Sequence, residues 1–142
     1  MRECPDHFYQ QSAVVPLRRR GQGLQVMLIR SRKGKRWVIP KGVIEPELSP
    51  QDSAAKEALE EAGIVGLVVP EPLGHYRYEK WGDICTVQVF VMQVTEQFEH
   101  WSEDFRSREW LALEEAQQRL TEPALGEMLA QLPTFLAACG LR

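Results

Sequence analysis

The sequence predicts an α/β (α+β) fold in which a mixed β-sheet is held between helices. Residues 84–94 form a long strand that is apolar at most positions, which is typical of a central strand. A capped helical segment at residues 49–63 and an amphipathic one at residues 123–138 lie on either side of it in the chain. Helices and apolar strands in this arrangement pack as layers.

The other strands follow from alternation and turn residues. Residues 12–17 and 24–30 are predicted as two strands, joined by a polar turn with glycines at residues 18–23. A short strand at residues 37–39 is expected to end at Pro40. Further predicted elements are strands at residues 64–69, 73–80 and 109–113, a turn at residues 81–83 and a polar loop at residues 96–107.

Helical segments follow the last predicted strand. One helix is expected to start within residues 114–120, and residues 123–138 place an apolar side on a second helix. That side consists of Leu125, Met128, Leu129, Leu132 and Leu136. Pro123 suits the first turn, whereas Pro133 is expected to kink or interrupt the helix because it removes a backbone hydrogen bond.

Length and composition indicate a single domain, residues 1–142, which can bury a core without metal or disulfide support. No apolar run reaches the roughly 18 residues of a membrane span, and the first residues lack a signal-peptide pattern. Cys4, Cys85 and Cys139 are odd in number and far apart, which favours the reducing cytoplasm over a disulfide framework or zinc site. Both a monomer and a homodimer remain open.

The net charge of −3 is distributed unevenly. Residues 1–41 contain ten lysines or arginines and two acidic residues, a balance of +8, whereas residues 42–142 contain seven basic and eighteen acidic residues, a balance of −11. A basic segment facing a carboxylate–metal cluster suits a metal-bridged anion such as a polyphosphate. Solvated basic turns are the alternative, and they are favoured for residues 18–20.

A glycine turn and a capped helix occupy residues 41–64. Ser49 suits the N-cap, Pro50 the first helical position, and Gly63 a left-handed end. The face expected to be buried consists of Ala55, Ala58, Leu59 and Ala62. Because positions i, i+3 and i+4 share a face, the helix is expected to present three carboxylates together, those of Glu57, Glu60 and Glu61. Such hard oxygen ligands suit Mg²⁺ or Mn²⁺; a solvated acidic face is the alternative.

This segment resembles the Nudix box, G-x(5)-E-x(7)-R-E-U-x-E-E-x-G-U, in which U is a bulky apolar residue. The positions in register are Gly42, Glu57, Glu60, Glu61, Gly63 and Ile64. Leu48 stands at the first glutamate, with Glu47 one residue early, and Lys56 replaces the arginine. The segments RWVIPKG (36–42), 86–101 and REW (108–110) resemble the branch that hydrolyses diphosphoinositol polyphosphates and diadenosine polyphosphates.

The resemblance implies an α-β-α sandwich and divalent-metal-dependent hydrolysis of a phosphoanhydride bond, with Mg²⁺ or Mn²⁺ as cofactor. It implies Glu57 and Glu61 as metal ligands, helped by a backbone carbonyl at Lys41 or Gly42. A further acidic ligand often comes from a distant loop, and Glu103 is the candidate. Glu60 is the candidate base, although family members draw the base from different glutamates. Lys56, in the arginine's place, offers one mobile charge instead of a fork.

Arg32 and Lys41 are the expected substrate contacts, with Arg36 and Arg108 as further candidates; Arg106 also flanks the later loop. The favoured substrate is a nucleoside-diphosphate-linked or polyphosphorylated small molecule, either a diadenosine polyphosphate or an inositol pyrophosphate. The negative net charge disfavours nucleic acid. The alternative function is a catalytically weak or inactive Nudix-fold domain that binds nucleotides or regulates, because Leu48 and Lys56 depart from the box.

Four aromatic residues are candidates for stacking on a base, namely Trp37, Tyr76, Tyr78 and Trp81. Aromatic side chains in strands more often pack in the core or pair across strands, so packing is the favoured interpretation for each.

Overall fold

The computed structural model describes residues 10–80 and 82–140. Cys4 and Trp81, which entered the predictions above, lie outside these residues. Eight strands form one sheet: β1 (Gln10–Arg20), β2 (Gly23–Arg30), β3 (Trp37–Val38), β4 (Lys41–Val43), β5 (Ile64–Val68), β6 (Gly74–Lys80), β7 (Asp83–Gln97) and β8 (Arg108–Ala112). The helices are α1 (Pro50–Glu57), which continues into a π-helical turn (Ala58–Ala62), α2 (Leu113–Arg119), α3 (Pro123–Ala130) and α4 (Leu132–Ala138).

The sheet is mixed, as the sequence predicts. Its main order is β3-β2-β1-β7-β5, in which β1 and β7 run parallel and the other neighbours antiparallel. Strand β4 pairs with the start of β1, β6 pairs with the first half of β7, and β8 pairs with β2. The predicted central strand is therefore confirmed, since β7 has β1 on one side and both β5 and β6 on the other.

Two apolar clusters cover the two faces of the sheet. Alternation along β1 sends Ala13 and Val15 into one cluster and Val14 into the other, because successive side chains of a strand point to opposite faces. Helices α2, α3 and α4 pack on the first face, with buried side chains that include Leu129 and Leu136. The helix at residues 50–62, here called the box helix, packs on the second face through Ala54, Ala58 and Ala62. This arrangement is the expected α-β-α sandwich.

The structure corrects several predicted bounds. The β1–β2 hairpin turns within two residues, with Gly21 at φ 59°, instead of the predicted six-residue turn. Strand β7 extends to Gln97, and β4 forms where the sequence predicted only a loop. The predicted interruption at Pro133 is confirmed, since α3 ends at Ala130 and Pro133 lies in the first turn of α4.

Within residues 10–80 and 82–140, no helix has the length and apolarity that a bilayer crossing requires. Cys85 is fully buried and Cys139 is partly buried, and both are free thiols.

Candidate active site

The box helix begins and ends where the sequence predicts. The Ser49 hydroxyl accepts the N–H of Asp52 at 3.0 Å, and Gly63 ends the helix in the left-handed region at φ 67°. Its last five residues, Ala58–Ala62, form a π-helical turn, a rare conformation that often occurs at functional sites. The buried side of the helix is an i, i+4 line of alanines, so the predicted burial of Leu59 is wrong, and its exposed fraction is 42%.

The end of the box helix is held by the segment that follows β7. The Arg108 guanidinium donates to the carbonyl of Ala62 at 2.6 Å, and the Trp101 indole N–H donates to the carbonyl of Glu61 at 3.0 Å. The Glu103 N–H donates to the carbonyl of Glu60, also at 3.0 Å. These bonds satisfy carbonyls that a helix end leaves without partners. They fix the turn that carries Glu60 and Glu61.

Arg108 therefore has structural partners. Besides the bond to Ala62, it donates to the carbonyl of Phe98, and its guanidinium carbon lies 3.8 Å from the centroid of the Trp101 ring. A Cβ at Gly63 would lie only 2.8 Å from Arg108 Nη1, so the left-handed glycine also makes room for it. Arg108 does not line the cleft described below, and its contacts support a role in holding the helix end.

Glu57 and Glu61 converge where the box helix meets strand β4. The carboxylate of Glu57 lies against Gly42, where an added Cβ would collide with it, with Oε1 at 2.7 Å. Glu61 is buried, with an exposed fraction of 8%, and its Oε1 accepts the backbone N–H of Lys41 at 3.3 Å. The two side chains also share a hydrogen bond. The structure thus brings together Glu57, Glu61, Lys41 and Gly42, as expected.

The two carboxyl groups resist carrying a negative charge at the same time. Burial raises the pKa of Glu61 to about 8, and the hydrogen bond with Glu57 acts in the same direction, while Arg106 opposes it. Burial also raises the pKa of Glu57. Two carboxylates in contact titrate as a pair, so the first proton is lost much more readily than the second.

The donor set fits Mg²⁺ or Mn²⁺ as a carboxylate pair. Among the residues that the structure describes, no three His, Cys, Asp or Glu side chains gather as a metal-binding group. Glu60 instead has an exposed fraction of 41% and lies 3.8 Å from Lys56 Nζ, so the expected cluster of three carboxylates reduces to Glu57 and Glu61. Mg²⁺ commonly uses one or two carboxylates and completes its shell with water and substrate phosphates.

Lys56 bridges two acidic residues at the surface. Its Nζ lies 2.6 Å from Glu45 Oε2 and 3.8 Å from Glu60 Oε2. The hydrogen bond to Glu45 raises the pKa of Lys56, and the charges of Glu45 and Glu60 act in the same direction, while burial opposes them. The sequence analysis named Glu47, which is exposed, as the glutamate next to the missing box position. It did not identify Glu45 as the partner of Lys56. The N–H of Leu48 donates to the carbonyl of Glu45, a turn that spacing alone does not reveal.

Glu103 lies next to the pair but is tied to arginines. Its Oε1 is 2.9 Å from both Nε and Nη2 of Arg106 and 3.2 Å from Nη1 of Arg32. Arg106 Nη2 also lies 4.0 Å from Glu61 Oε1, and Nη1 donates to the carbonyl of Arg30 at 3.2 Å. The Arg106 side chain is only 7% exposed, which makes it the buried link between Glu61 and Glu103.

A cleft of about 710 Å³ opens beside this site, within the range of small-molecule sites. Its basic lining residues are Arg32, Lys33, Lys35, Arg36, Lys41, Lys80 and Arg106. The remaining lining residues are Ser31, Trp37, Val38, Ile39, Glu61, Tyr76, Tyr78, Leu120, Thr121, Glu122 and Leu125. Three of the four predicted substrate contacts, Arg32, Arg36 and Lys41, therefore lie at one cavity with Glu61.

Lys41 is oriented by two residues of the sheet. Its Nζ donates to Tyr78 Oη at 3.0 Å and to Gln11 Oε1 at 3.4 Å, and the Tyr78 hydroxyl donates to the same Gln11 oxygen at 2.9 Å. Burial lowers the pKa of Lys41, and the charge of Glu61 acts in the opposite direction. Sequence reasoning missed Gln11; the signal was a polar residue at the start of an otherwise apolar strand.

The aromatic candidates differ in what they contact. The Trp37 ring has the guanidinium carbon of Arg30 at 4.2 Å and that of Arg119 at 5.5 Å from its centroid, so it is already stacked within the protein. Tyr76 and Tyr78 both line the cleft, with ring centroids 6.3 Å apart. The favoured packing interpretation suits Tyr76, which belongs to the core at 9% exposure, as well as Trp37, which also lines the cleft.

The sequence matches the family model of the NUDIX domain over residues 8–132. Among curated proteins, Nudix hydrolase 4 of Arabidopsis thaliana is 36% identical over 100 residues, which cover 68% of this chain and 48% of that protein. Diphosphoinositol polyphosphate phosphohydrolase 3-alpha of Mus musculus is 32% identical over 133 residues, 90% of this chain and 80% of that protein. The chain spans about half to two thirds of the length of the plant relatives that it matches.

Solved structures share the fold at lower identity. An Ap4A hydrolase of C. elegans, in a binary complex, superposes with a TM-score of 0.73 at 21% identity, covering 91% of this chain and 98% of that one. The E. coli ORF135 protein gives a TM-score of 0.62 at 23% identity, covering 91% and 92%. Together with the box geometry and the match over residues 8–132, these likenesses lead to one conclusion: the chain belongs to the Nudix family.

Proposed function

We propose that this protein is a Mg²⁺- or Mn²⁺-dependent hydrolase that cleaves a phosphoanhydride bond in a polyphosphorylated small molecule. The observation that carries the proposal is the pair of half-buried Glu57 and buried Glu61, of which Glu61 lines a cleft together with seven basic residues. A carboxylate pair with raised pKa values suits a divalent cation, and the basic lining suits the anion that such a cation bridges.

The roles of the side chains follow from their positions. Glu57 and Glu61 would hold the ion, with a backbone carbonyl at Lys41 or Gly42 and, from the neighbouring loop, Glu103. When bound, the ion neutralises phosphate charge and lowers the pKa of water. Glu60 is near the pair and open to solvent, which suits a base that takes the proton of the attacking water. Lys56 forms ion pairs with both Glu60 and Glu45 and so restricts the position of the Glu60 side chain.

Phosphate binding falls to the basic side of the cleft. Lys41 is held by Tyr78 and Gln11 beside Glu61, so its ammonium group is set in advance of binding. Arg32 and Arg36 are exposed at the cleft and can reach phosphates farther from the cleavage site. Because Arg108 lies outside the cleft, it does not contact substrate in this proposal.

The names of the relatives favour two substrate classes, diadenosine polyphosphates and inositol pyrophosphates. One relative is named for diphosphoinositol polyphosphates and one structural neighbour for Ap4A. The negative net charge continues to disfavour nucleic acid. Residues 1–142 acting as one domain and a cytoplasmic location remain predictions, and one plant relative is named as mitochondrial. Whether the protein acts as a monomer or a homodimer is left open.

The second candidate function is a nucleotide-binding or regulatory domain with little or no catalysis. Lys56 favours it, because a lysine paired to Glu45 and Glu60 cannot make the two parallel bonds of an arginine. Leu48 favours it as well, because it removes one carboxylate from the box.

Phosphate release from a panel of substrates, with and without Mg²⁺, separates the two functions. The panel contains nucleoside diphosphate sugars, dinucleoside polyphosphates and inositol pyrophosphates. If the protein is an enzyme, at least one member should release phosphate in the presence of Mg²⁺, and this release should be abolished in Glu61→Gln. Ligand-induced thermal shifts without turnover of any member would establish the binding domain instead.

A further inference from the structure

The hydroxyl group of Ser12 is buried in strand β1 without a hydrogen-bond partner. The side chain has an exposed fraction of 0%. Within residues 10–80 and 82–140, its Oγ is the only buried side-chain oxygen or nitrogen that makes no hydrogen bond. A buried hydroxyl of this kind costs free energy, because it has lost its hydrogen bonds to water and gained none in the protein. One explanation is a partner that becomes available only when an ion binds nearby.

Strand pairing places this hydroxyl next to the candidate metal site. Ser12 is directly opposite Gly42 in the antiparallel pair of β1 and β4. Directly opposite residues in such a pair project to the same face of the sheet, with Cβ positions about 5 Å apart. The position that a Cβ at Gly42 would take is filled by the carboxylate of Glu57. The Ser12 side chain and the Glu57 carboxylate are therefore neighbours on one face.

Alternation along β1 gives the same orientation. Val14, two residues after Ser12, packs against the box helix in the cluster that contains Ala54. Because residues i and i+2 of a strand point to the same face, Ser12 points towards the box helix as well. Gln11 projects to the opposite face, where it accepts a hydrogen bond from Lys41.

Two polar side chains border Ser12 on this face. One is Glu57, and the other is Gln88, which is opposite Ser12 in the parallel pair of β1 and β7. The hydrogen bonding of Glu57 has to change when an ion binds, because its carboxyl group shares a hydrogen bond with Glu61 in the metal-free protein. A cation between the two carboxylates takes the place of that bond. The oxygens of ionised Glu57 are then acceptors only, which suits an O–H donor beside them.

We propose that Ser12 is a positioning residue for the metal site and donates a hydrogen bond to the Glu57 carboxylate when that carboxylate binds a divalent cation. Hydrogen bonds to ligating carboxylates fix their orientation and strengthen metal binding. This inference rests on the proposed function and adds to its metal site a residue that lies outside the box.

Ser12→Ala should change metal-free stability and metal affinity in opposite directions. In chelator at pH 6, Tm should rise by about 3 °C, because the substitution removes an unpaired buried hydroxyl. Mn²⁺ titration followed by electron paramagnetic resonance should show about tenfold weaker binding. A serine with only a structural role would not combine these two effects.

The matched control is Ser53→Ala, which changes the buried serine of the box helix. The Ser53 hydroxyl already has a partner, since it accepts the N–H of Glu45 at 3.2 Å. Ser53→Ala should therefore lower the metal-free Tm, because it leaves that N–H unpaired, and it should keep the wild-type affinity for Mn²⁺.

A double-mutant cycle identifies the group on which Ser12 acts. The loss of Mn²⁺ affinity caused by Ser12→Ala should disappear in a Glu57→Ala background and persist in a Gln88→Ala background. A full additional loss in Glu57→Ala would overturn the assignment. An unchanged Mn²⁺ affinity or a lowered metal-free Tm in Ser12→Ala would overturn it as well. These results would leave the proposed function intact, whereas a wild-type protein that bound no Mn²⁺ would overturn both.

Discussion

The carboxylate of Glu57 lies directly against the α-carbon of Gly42 in strand β4. The contact joins the first and last parts of the box, which are far apart in sequence, and it leaves no room for a side chain at position 42. Gly42 is needed here for close approach, since its φ is not in the left-handed region that requires glycine elsewhere in the chain.

Gly42→Ala should therefore damage the site more than the fold. The new Cβ would displace the Glu57 carboxylate, and a misplacement of about 1 Å at a catalytic group can cost about 100-fold in kcat. Gly23→Ala is the matched control, because its Cβ would lie at an ordinary 3.7 Å from the carbonyl of Arg20. Steady-state kinetics with Mg²⁺ on both variants check this. Wild-type turnover in Gly42→Ala would show that Glu57 does not need its observed position.

The stability of the metal-free protein should fall as the pH rises. The pKa of Glu61 is about 8 in the folded protein against an ordinary value of 4.5, so the folded chain retains a proton that the unfolded chain has lost. The stabilisation is complete below about pH 4.5 and is lost as the pH passes about 8. The free energy of unfolding should decline between these values by at most about 1.4 kcal/mol per pH unit from this group.

Mg²⁺ should offset this loss of stability at high pH, because it takes the place of the proton between the two carboxylates. The rise in Tm on adding Mg²⁺ should be small near pH 5 and largest above pH 8. Thermal melts in chelator and in Mg²⁺ across this range measure both effects, with Glu61→Gln as the variant that should lose them. If the stability of metal-free Glu61→Gln still fell with rising pH as in the wild type, the pH dependence would belong to other groups.

Arg106 and Arg32 bind the same oxygen of Glu103 but should differ in their contribution to stability. The Arg106 side chain is 7% exposed, and its removal takes the opposite charge away from buried Glu61 and from one side of Glu103, so Arg106→Met should cost about 3–5 kcal/mol. The Arg32 side chain is 67% exposed, and Arg32→Met should cost less than about 1 kcal/mol. Urea unfolding at one pH measures both. Similar losses for the two variants would mean that burial does not decide the strength of this network.

Arg108 and Arg36 are both predicted from the sequence as substrate contacts, but their variants should differ in stability and in KM. Arg108→Met removes the bonds to the end of the box helix and should cost about 2 kcal/mol of stability, with KM nearly unchanged. Arg36→Met removes a basic group from the cleft and should raise KM with little loss of stability. Unfolding curves and KM for each variant check the pair. If Arg108→Met were fully stable and had a raised KM, Arg108 would be a substrate contact after all.

The features predicted correctly are those that local sequence specifies. The Ser49 cap, the left-handed Gly63 and the central β7 each follow from residue types within one element. Helical spacing placed Glu57 and Glu61 on one face, but it also placed Glu60 there, which the structure does not bear out. The mixed sheet and the helical layers follow from the order of apolar and capped segments.

The features that were missed depend on contacts between distant segments. The sequence around residue 59 does not predict the π-helical turn. Hydrogen bonds from Trp101, Glu103 and Arg108, which follow β7 in the chain, hold this turn. The partner of Lys56 is Glu45 because the loop folds back, a geometry that spacing does not give. Gln11 reaches Lys41 only because β1 pairs with β4, a strand too short for its sequence to reveal.

Direct metal binding tests the central proposal, that Glu57 and Glu61 jointly bind a divalent cation. Mn²⁺ titration followed by electron paramagnetic resonance compares the wild-type protein with Glu61→Gln and with Glu114→Gln, a change at an exposed position of α2. We predict that Glu61→Gln weakens Mn²⁺ binding at least tenfold and abolishes hydrolysis while it remains folded, and that Glu114→Gln matches the wild type. Undiminished Mn²⁺ binding and turnover in Glu61→Gln would contradict the proposal.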